Sequence, residues 1–204
     1  MKFLHSKNRL ESVSDGVFAF AATLMVVTIG NNATITSFQD ELPNLISFAV
    51  SFFVMMAIWK VHYNYFRRTD VIDNWIIAFN MVLLFTVLFY IFPIRSLINT
   101  GTGGVRISIE KFAIIFQMYS SGFLLIFLCF CFMYLRAYKK TNDLKLLFYS
   151  RHFFVFVLVA LISFIFATLR IGLLFGFPGF IYVFLGPLCY FHSKWFHKKY
   201  NLKY

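Results

Sequence analysis

The sequence predicts an all-α polytopic membrane protein with six transmembrane helices per subunit. Three observations carry that expectation. First, 60% of the 204 residues are hydrophobic and only 13% are charged. An ordinary soluble domain is about 45–50% apolar and about 25% charged. A soluble domain of this size must leave much of its surface in water and cannot hide so many apolar side chains. Second, the apolar residues fall into six runs that approach the roughly 20 residues a helix needs to cross a bilayer. Third, the basic residues gather in alternate gaps between those runs. This pattern excludes a soluble enzyme, a disordered chain and a collagen-like chain.

The expected helices are 13–30, 44–66, 74–98, 110–138, 152–174 and 177–193, forming one domain over 1–204. The first is the most polar, with Ser14 and Asp15 at its start and a row of small residues along it. The second opens near Pro43, a residue suited to a helix start. The third holds Asn80 near its start, and Pro93 is expected to end or kink it at the far side. The fourth is long and uninterrupted and carries Cys129 and Cys131. The fifth ends before Gly176-Phe177-Pro178-Gly179, a turn signal that separates it from the short sixth run.

Orientation follows from charge. Fifteen of the 19 Lys and Arg residues lie in the N-terminal segment, the second-to-third gap, the fourth-to-fifth gap and the C-terminal segment. Only Arg95, Arg106, Lys111 and Arg170 lie in the opposite set. The positive-inside rule therefore puts both termini in the cytoplasm, and an even number of spans agrees. The net charge of +11 is explained by topology. No basic face is free to track a phosphate backbone, so no nucleic-acid partner is expected. Trp59, Tyr63, Tyr65, Trp75, Tyr190, Trp195, Tyr200 and Tyr204 flank the spans, where amphipathic rings suit the headgroup level. Cys129, Cys131 and Cys189 have no spacing that suggests a disulfide framework or a zinc site. No metal and no cofactor are expected. The first run carries Asp15 and has no evident cleavage site, so no cleavable leader is expected.

The first span carries most of the information. An ionisable Asp15 at the edge of an apolar helix needs a partner or water, unless it only caps the helix start. Phe20, Leu24, Val27 and Asn31 follow at i, i+4, i+7 and i+11 and share a face, with Thr23 on its flank. Such a row fits a core face, a lipid face or a pore lining. In the second span His62 follows Trp59 by three residues, so the two share a face. Ser14, Asp15 and His62 lie at one depth and are expected to form a hydrogen-bonded cluster. Asn80 in the third span calls for a partner on another helix.

Together these residues resemble a known family. Arg9, Ser14-Asp15-Gly16, Phe18-Ala19 and Thr23-Leu24 resemble the first-helix signature of the transmembrane protein 175 family of potassium channels. Trp59-x-x-His62 and Phe66 resemble its second-helix pattern, and Asn80 with Phe92-Pro93 resembles its third. The match by motif covers the first half of the chain.

The resemblance implies a six-helix, single-repeat subunit that forms a homotetramer in the lipid bilayer. It implies a non-canonical pore lined by the first helix, with potassium and other monovalent cations as permeant species. Phe20, Leu24 and Val27 would form the apolar constriction or gate. Thr23 would be associated with selectivity, and Asn31 would offer an outer polar ring. Arg9, Ser14, Asp15, Trp59, His62 and Asn80 would hold the helices together. Val13 and Phe20 depart from the pattern, which has Phe and an aliphatic residue at those positions. A compact single-repeat chain implies a prokaryotic cell membrane. The Thr-Val-Gly-Tyr-Gly filter of ordinary potassium channels is absent from the sequence. A secondary transporter and a non-conducting membrane scaffold are the alternatives. No zinc-protease or Gly-x-Ser-x-Gly motif suggests an enzyme.

Overall fold

The computed structural model describes residues 6–27, 38–101 and 107–200. Nearly all of them are helical. Five long helices come first: α1 (Lys7–Val27), α2 (Phe38–Arg68), α3 (Asn74–Gly101), α4 (Ile109–Thr141) and α5 (Leu144–Thr168). Two 3₁₀ turns (Leu173–Phe175 and Ile181–Phe184) and the short α6 (Phe177–Phe180) lead into α7 (Leu185–Lys199). Four helices, α2 from Leu42 onward and α3 to α5, are long and apolar enough to cross a membrane. The chain is thus an integral membrane protein by composition and by helix length.

Several helix ends differ from the sequence reading, each for a local reason. α1 begins at Lys7, ahead of 13, and Ser6 Oγ accepts from the Arg9 N–H at 3.4 Å at its start. Pro43 sits inside the opening turns of α2 rather than at its first residue. There its ring removes a single early bond. α3 passes through buried Pro93 without ending. Asn142 closes α4 in the left-handed conformation, its N–H bonded to the Tyr138 carbonyl at 2.8 Å. Asp143 Oδ1 then accepts from the Lys145 N–H at 2.9 Å and starts α5 at once, well before 152.

α5 stops at Thr168, short of 174. The backbone turns left-handed at Arg170 and again at Gly172, which glycine adopts without steric cost. The expected helix at 177–193 is divided, because Gly176, Pro178, Gly179, Gly186 and Pro187 all fall within or beside it. Ser163 Oγ donates to the Pro178 carbonyl at 2.8 Å and ties this broken stretch back to α5.

Helices α4 and α5 form a tight antiparallel hairpin, and α3 packs along α4. Gly122 of α4 faces the Tyr90 ring of α3. A Cβ added at Gly122 would lie 2.5 Å from Tyr90 Cδ2, so only glycine lets the two helices meet here. The main core runs from Phe18 of α1 through Met55, Tyr65 and Phe66 of α2 and Leu83 of α3 to Phe130 and Tyr134 of α4.

A polar corner closes one end of the bundle. Asp73 Oδ1 caps α3 by accepting the Ile76 N–H at 3.0 Å. Its Oδ2 takes Arg136 Nε at 2.8 Å and Lys140 Nζ at 2.9 Å. Burial pushes the carboxyl up, but the Ile76 N–H and the two cations outweigh it and bring it down to about 2.

Candidate functional site

Helix α1 has two unlike faces. Ser14, Phe18, Ala21 and Met25 point into the subunit and are fully buried. They recur at i, i+4, i+7 and i+11, one stripe of a straight helix. On the far side Gly16, Phe20 and Thr23 are exposed, with Phe20 57% accessible. A Cβ at Gly16 would meet nothing within 4 Å. Leu24 lies on the boundary, half-buried against the core. The row expected from spacing is therefore not uniform. Phe20 and Thr23 face outward together, and Leu24 leans toward its own subunit. The side chain of Val27 and all of Asn31 lie outside the described residues.

The inner face is held by a directed chain of hydrogen bonds. Ser14 Oγ donates to the Leu10 carbonyl at 2.7 Å and so accepts at its remaining lone pairs. Asn80 Nδ2 of α3 donates to Ser14 Oγ at 2.9 Å. Asn80 Oδ1 then faces His62 Nε2 of α2 at 2.8 Å. An amide oxygen only accepts, so His62 carries its proton on Nε2. Its Nδ1 is buried with no partner among the described residues. Phe18, Phe66 and Phe130 surround that imidazole, with ring centroids 5.4, 4.9 and 6.4 Å away.

A second tie joins α1 to α2 alone. Trp59 Nε1 donates to Asp15 Oδ1 at 2.9 Å. Beside it Asp15, Phe18, Ala19, Met56 and Trp59 line an open groove of about 310 Å³.

The structure thus brings together Ser14, Asp15, Trp59, His62 and Asn80. The pairing differs from the Ser14–Asp15–His62 cluster read from the sequence. Asp15 bonds to Trp59, and Ser14 reaches His62 only through Asn80. Arg9 is exposed at the start of α1. Its backbone N–H bonds to Ser6 Oγ, and among the described residues nothing links it to the Ser14, Asp15, Trp59, His62 and Asn80 ties. Phe18 was missed as a wall of the histidine site, although its i+4 spacing from Ser14 was a usable signal. Among the described residues no group of three or more His, Cys, Asp or Glu side chains could hold a metal ion.

Such an arrangement defines a membrane-embedded helical bundle whose first helix is tied on one side and bare on the other. The profile of the family described as "Endosomal/lysosomal potassium channel TMEM175" matches residues 9–90, the stretch that holds all five bonded residues. The first half of the chain thus carries the pattern of the TMEM175 family, which is one of channels rather than enzymes.

A potassium channel of Marivirga tractuosa is 31% identical over 155 residues, 69% of this chain and 63% of the relative. A potassium channel of Chamaesiphon minutus is 31% identical over 93 residues, 42% of this chain and 46% of the relative. The chain thus spans less than two thirds of the length of these relatives.

Two solved structures share the fold. One is of a variant of the potassium channel MtTMEM175, in complex with a nanobody fusion. It has a TM-score of 0.76 at 24% identity, covering 96% of this chain and 95% of that one. The other is a lysosomal potassium-selective channel TMEM175 homolog from Chamaesiphon minutus. Its TM-score is 0.60 at 21% identity, covering 88% of this chain and 97% of that one.

Proposed function

We propose that this chain is a subunit of a potassium-conducting channel in a prokaryotic cell membrane. Four copies assemble around an axis lined by α1. Each subunit contributes six membrane-crossing segments, the last one broken, with both termini in the cytoplasm. The observation that carries this reading is the outward face of α1. Phe20 stands 57% exposed while the opposite face of the same helix is fully buried and hydrogen-bonded. An exposed face that carries Phe20 and Thr23, on a helix tied so firmly from behind, suits a lining, and the relatives' names supply the ion.

In this reading Phe20, Leu24 and Val27 form apolar rings. A narrow apolar neck excludes water and so gates by dewetting. Thr23, on the same outward side as Phe20, brings an oxygen close to the passing ion. Its hydroxyl donates to the Ala19 carbonyl at 3.1 Å, which leaves its lone pairs facing outward. Asn31 completes an outer polar ring. Ser14, Asp15, Trp59, His62 and Asn80 keep α1 in place, with Arg9 at its entry.

The test is potassium flux into liposomes that hold the purified full-length protein, compared with sodium flux under the same gradient. Wild type passes potassium, and Phe20→Ala passes more. No flux from either protein would replace the channel with a scaffold. Saturable uptake coupled to a second ion would replace it with a transporter.

A further inference from the structure

Helices α3 and α4 share a groove that conduction does not use. It has a volume of about 230 Å³ and is lined by Trp75, Phe79, Phe132, Leu135, Arg136 and Lys139. Its floor is aromatic. Phe79 and Phe132 stack with centroids 5.3 Å apart and planes 27° apart. Trp75 continues the surface 6.1 Å from Phe79. Trp75 is 60% exposed and Phe132 40%, so the floor opens sideways, toward whatever surrounds the bundle. Trp75 opens α3 and Lys139 closes α4. The groove therefore sits at one membrane border, which the bias of basic residues assigns to the cytoplasmic leaflet.

Its upper edge is cationic. Arg136 is held in place through Nε by Asp73, and among the described residues its terminal nitrogens take no partner. Lys139 forms no ion pair among the described residues. Lys140 shares the same Asp73 oxygen. Two cations thus meet one carboxylate while Lys139 stays unpaired among the described residues, so the corner keeps an excess of positive charge.

We propose that this groove binds an anionic phospholipid of the cytoplasmic leaflet. The phosphate sits on Arg136 and Lys139, and the first carbons of an acyl chain lie on Phe79 and Phe132. The volume is below the roughly 300–1,000 Å³ of pockets that enclose a drug-sized molecule. It admits the head end of a ligand whose remainder lies outside, in the bilayer. A soluble phosphate would find the two cations but gain nothing from an aromatic floor. A lipid uses both. Anionic lipids favour such sites through the negative potential of the leaflet as well.

Native mass spectrometry of the full-length detergent-solubilised assembly tests this, with phosphatidylglycerol and phosphatidylcholine added in turn. The wild type retains phosphatidylglycerol over phosphatidylcholine. Lys139→Gln lowers that retention about fivefold, the loss expected for one cation at a membrane surface, and Phe132→Ala lowers it as well. Lys198→Gln, a cation on α7 away from the groove, leaves it unchanged. Lys139 has no partner among the described residues, so its replacement leaves the fold intact.

Four results overturn the proposal. Equal retention of the two lipids is the first. An equal loss with Lys198→Gln would indicate general surface charge. Full competition by glycerol phosphate would make this a site for a free anion. A change in subunit number with Lys139→Gln would mean that a second copy of the chain covers the groove.

Discussion

Asn80 and Ser14, on helices α3 and α1, are both completely buried and share a hydrogen bond of 2.9 Å. In a bilayer core no water is present to satisfy a polar group that loses its partner. The bond therefore matters more for what it prevents than for its own strength. It allows a serine, an asparagine and a histidine to sit inside an apolar bundle, with His62 Nδ1 the one atom of the three side chains left without a partner among the described residues.

Replacing Asn80 by Leu removes both bonds at once. Ser14 keeps its bond to Leu10, but the His62 Nε2–H is orphaned. The expected cost is about 1–3 kcal/mol, seen as a lower thermal midpoint of the detergent-solubilised protein. In a double-mutant cycle with Ser14→Ala the coupling should be near 0.6 kcal/mol, about the average for helix-to-helix bonds in membranes. An unchanged midpoint would show that the network contributes nothing to stability.

Trp59→Phe separates the ring from its donor. The aromatic body, 5.6 Å from Tyr63, is largely kept, while Asp15 loses the only donor it has among the described residues. Bonds to charged groups contribute about 1.5–3 kcal/mol, so the midpoint should fall. Asp15→Asn retains an acceptor and should fall less. The opposite order would argue against Asp15 as the point of attachment.

Thr23→Val keeps the shape of the outward face and removes its hydroxyl. If Thr23 lines the conduction path, the potassium-to-sodium flux ratio in liposomes drops while the unfolding free energy stays within about 0.5 kcal/mol of wild type. A ratio equal to wild type would remove Thr23 from the selectivity account.

Gly122→Ala probes the α3–α4 contact. Its new methyl would meet the Tyr90 ring at 2.5 Å, and that ring is buried and stacked on Tyr119 at 5.5 Å. Overpacking of this kind costs about 1–3 kcal/mol. Thermal unfolding checks the value, and a neutral substitution would mean that the two helices separate freely.

The Asp73 corner gives the protein an acid-sensitive tie. Its carboxyl lies at about 2 in the folded chain, against 3.8 for the ordinary group. A lowered folded value contributes stability that is complete above the unfolded value and is lost as pH falls through the folded one. The thermal midpoint should therefore fall as pH drops from about 4 toward 2. Asp73→Asn should flatten that limb and also weaken the hold on Arg136 and Lys140. Identical limbs in both proteins would rule the corner out as the source.

Much of the site was legible in the sequence, because the cost of polar groups in lipid makes each one conspicuous. Ser14, Asp15, Trp59, His62 and Asn80 stand out for that reason alone. Their pairing was not legible. Ser14 and Asp15 are neighbours, so their side chains project about 100° apart and cannot both reach one histidine. Which helix stands opposite each of them depends on tertiary packing. The broken end of the bundle was half legible. Gly176 to Gly179 marked a turn, but the left-handed bend at Arg170 had no sequence signal, since arginine rarely adopts it. The groove under Lys139 was not legible either. Its walls come from two helices more than fifty residues apart in the chain, and each wall alone resembles an ordinary membrane border.

The angle between Ser14 and Asp15 has a mechanical consequence. One is fastened to α3 and the other to α2, at a single level and on different sides of α1. A cylinder held at two points around its circumference cannot swivel about its long axis without breaking one of them. If Phe20 lines the conduction path, any widening there must come from a flip of the ring or from a lean of the whole helix about that fulcrum. Phe20 lies roughly 9 Å along α1 from Ser14. A lean of about 10° would carry its backbone sideways by roughly 1.5 Å, and only the ring can move further.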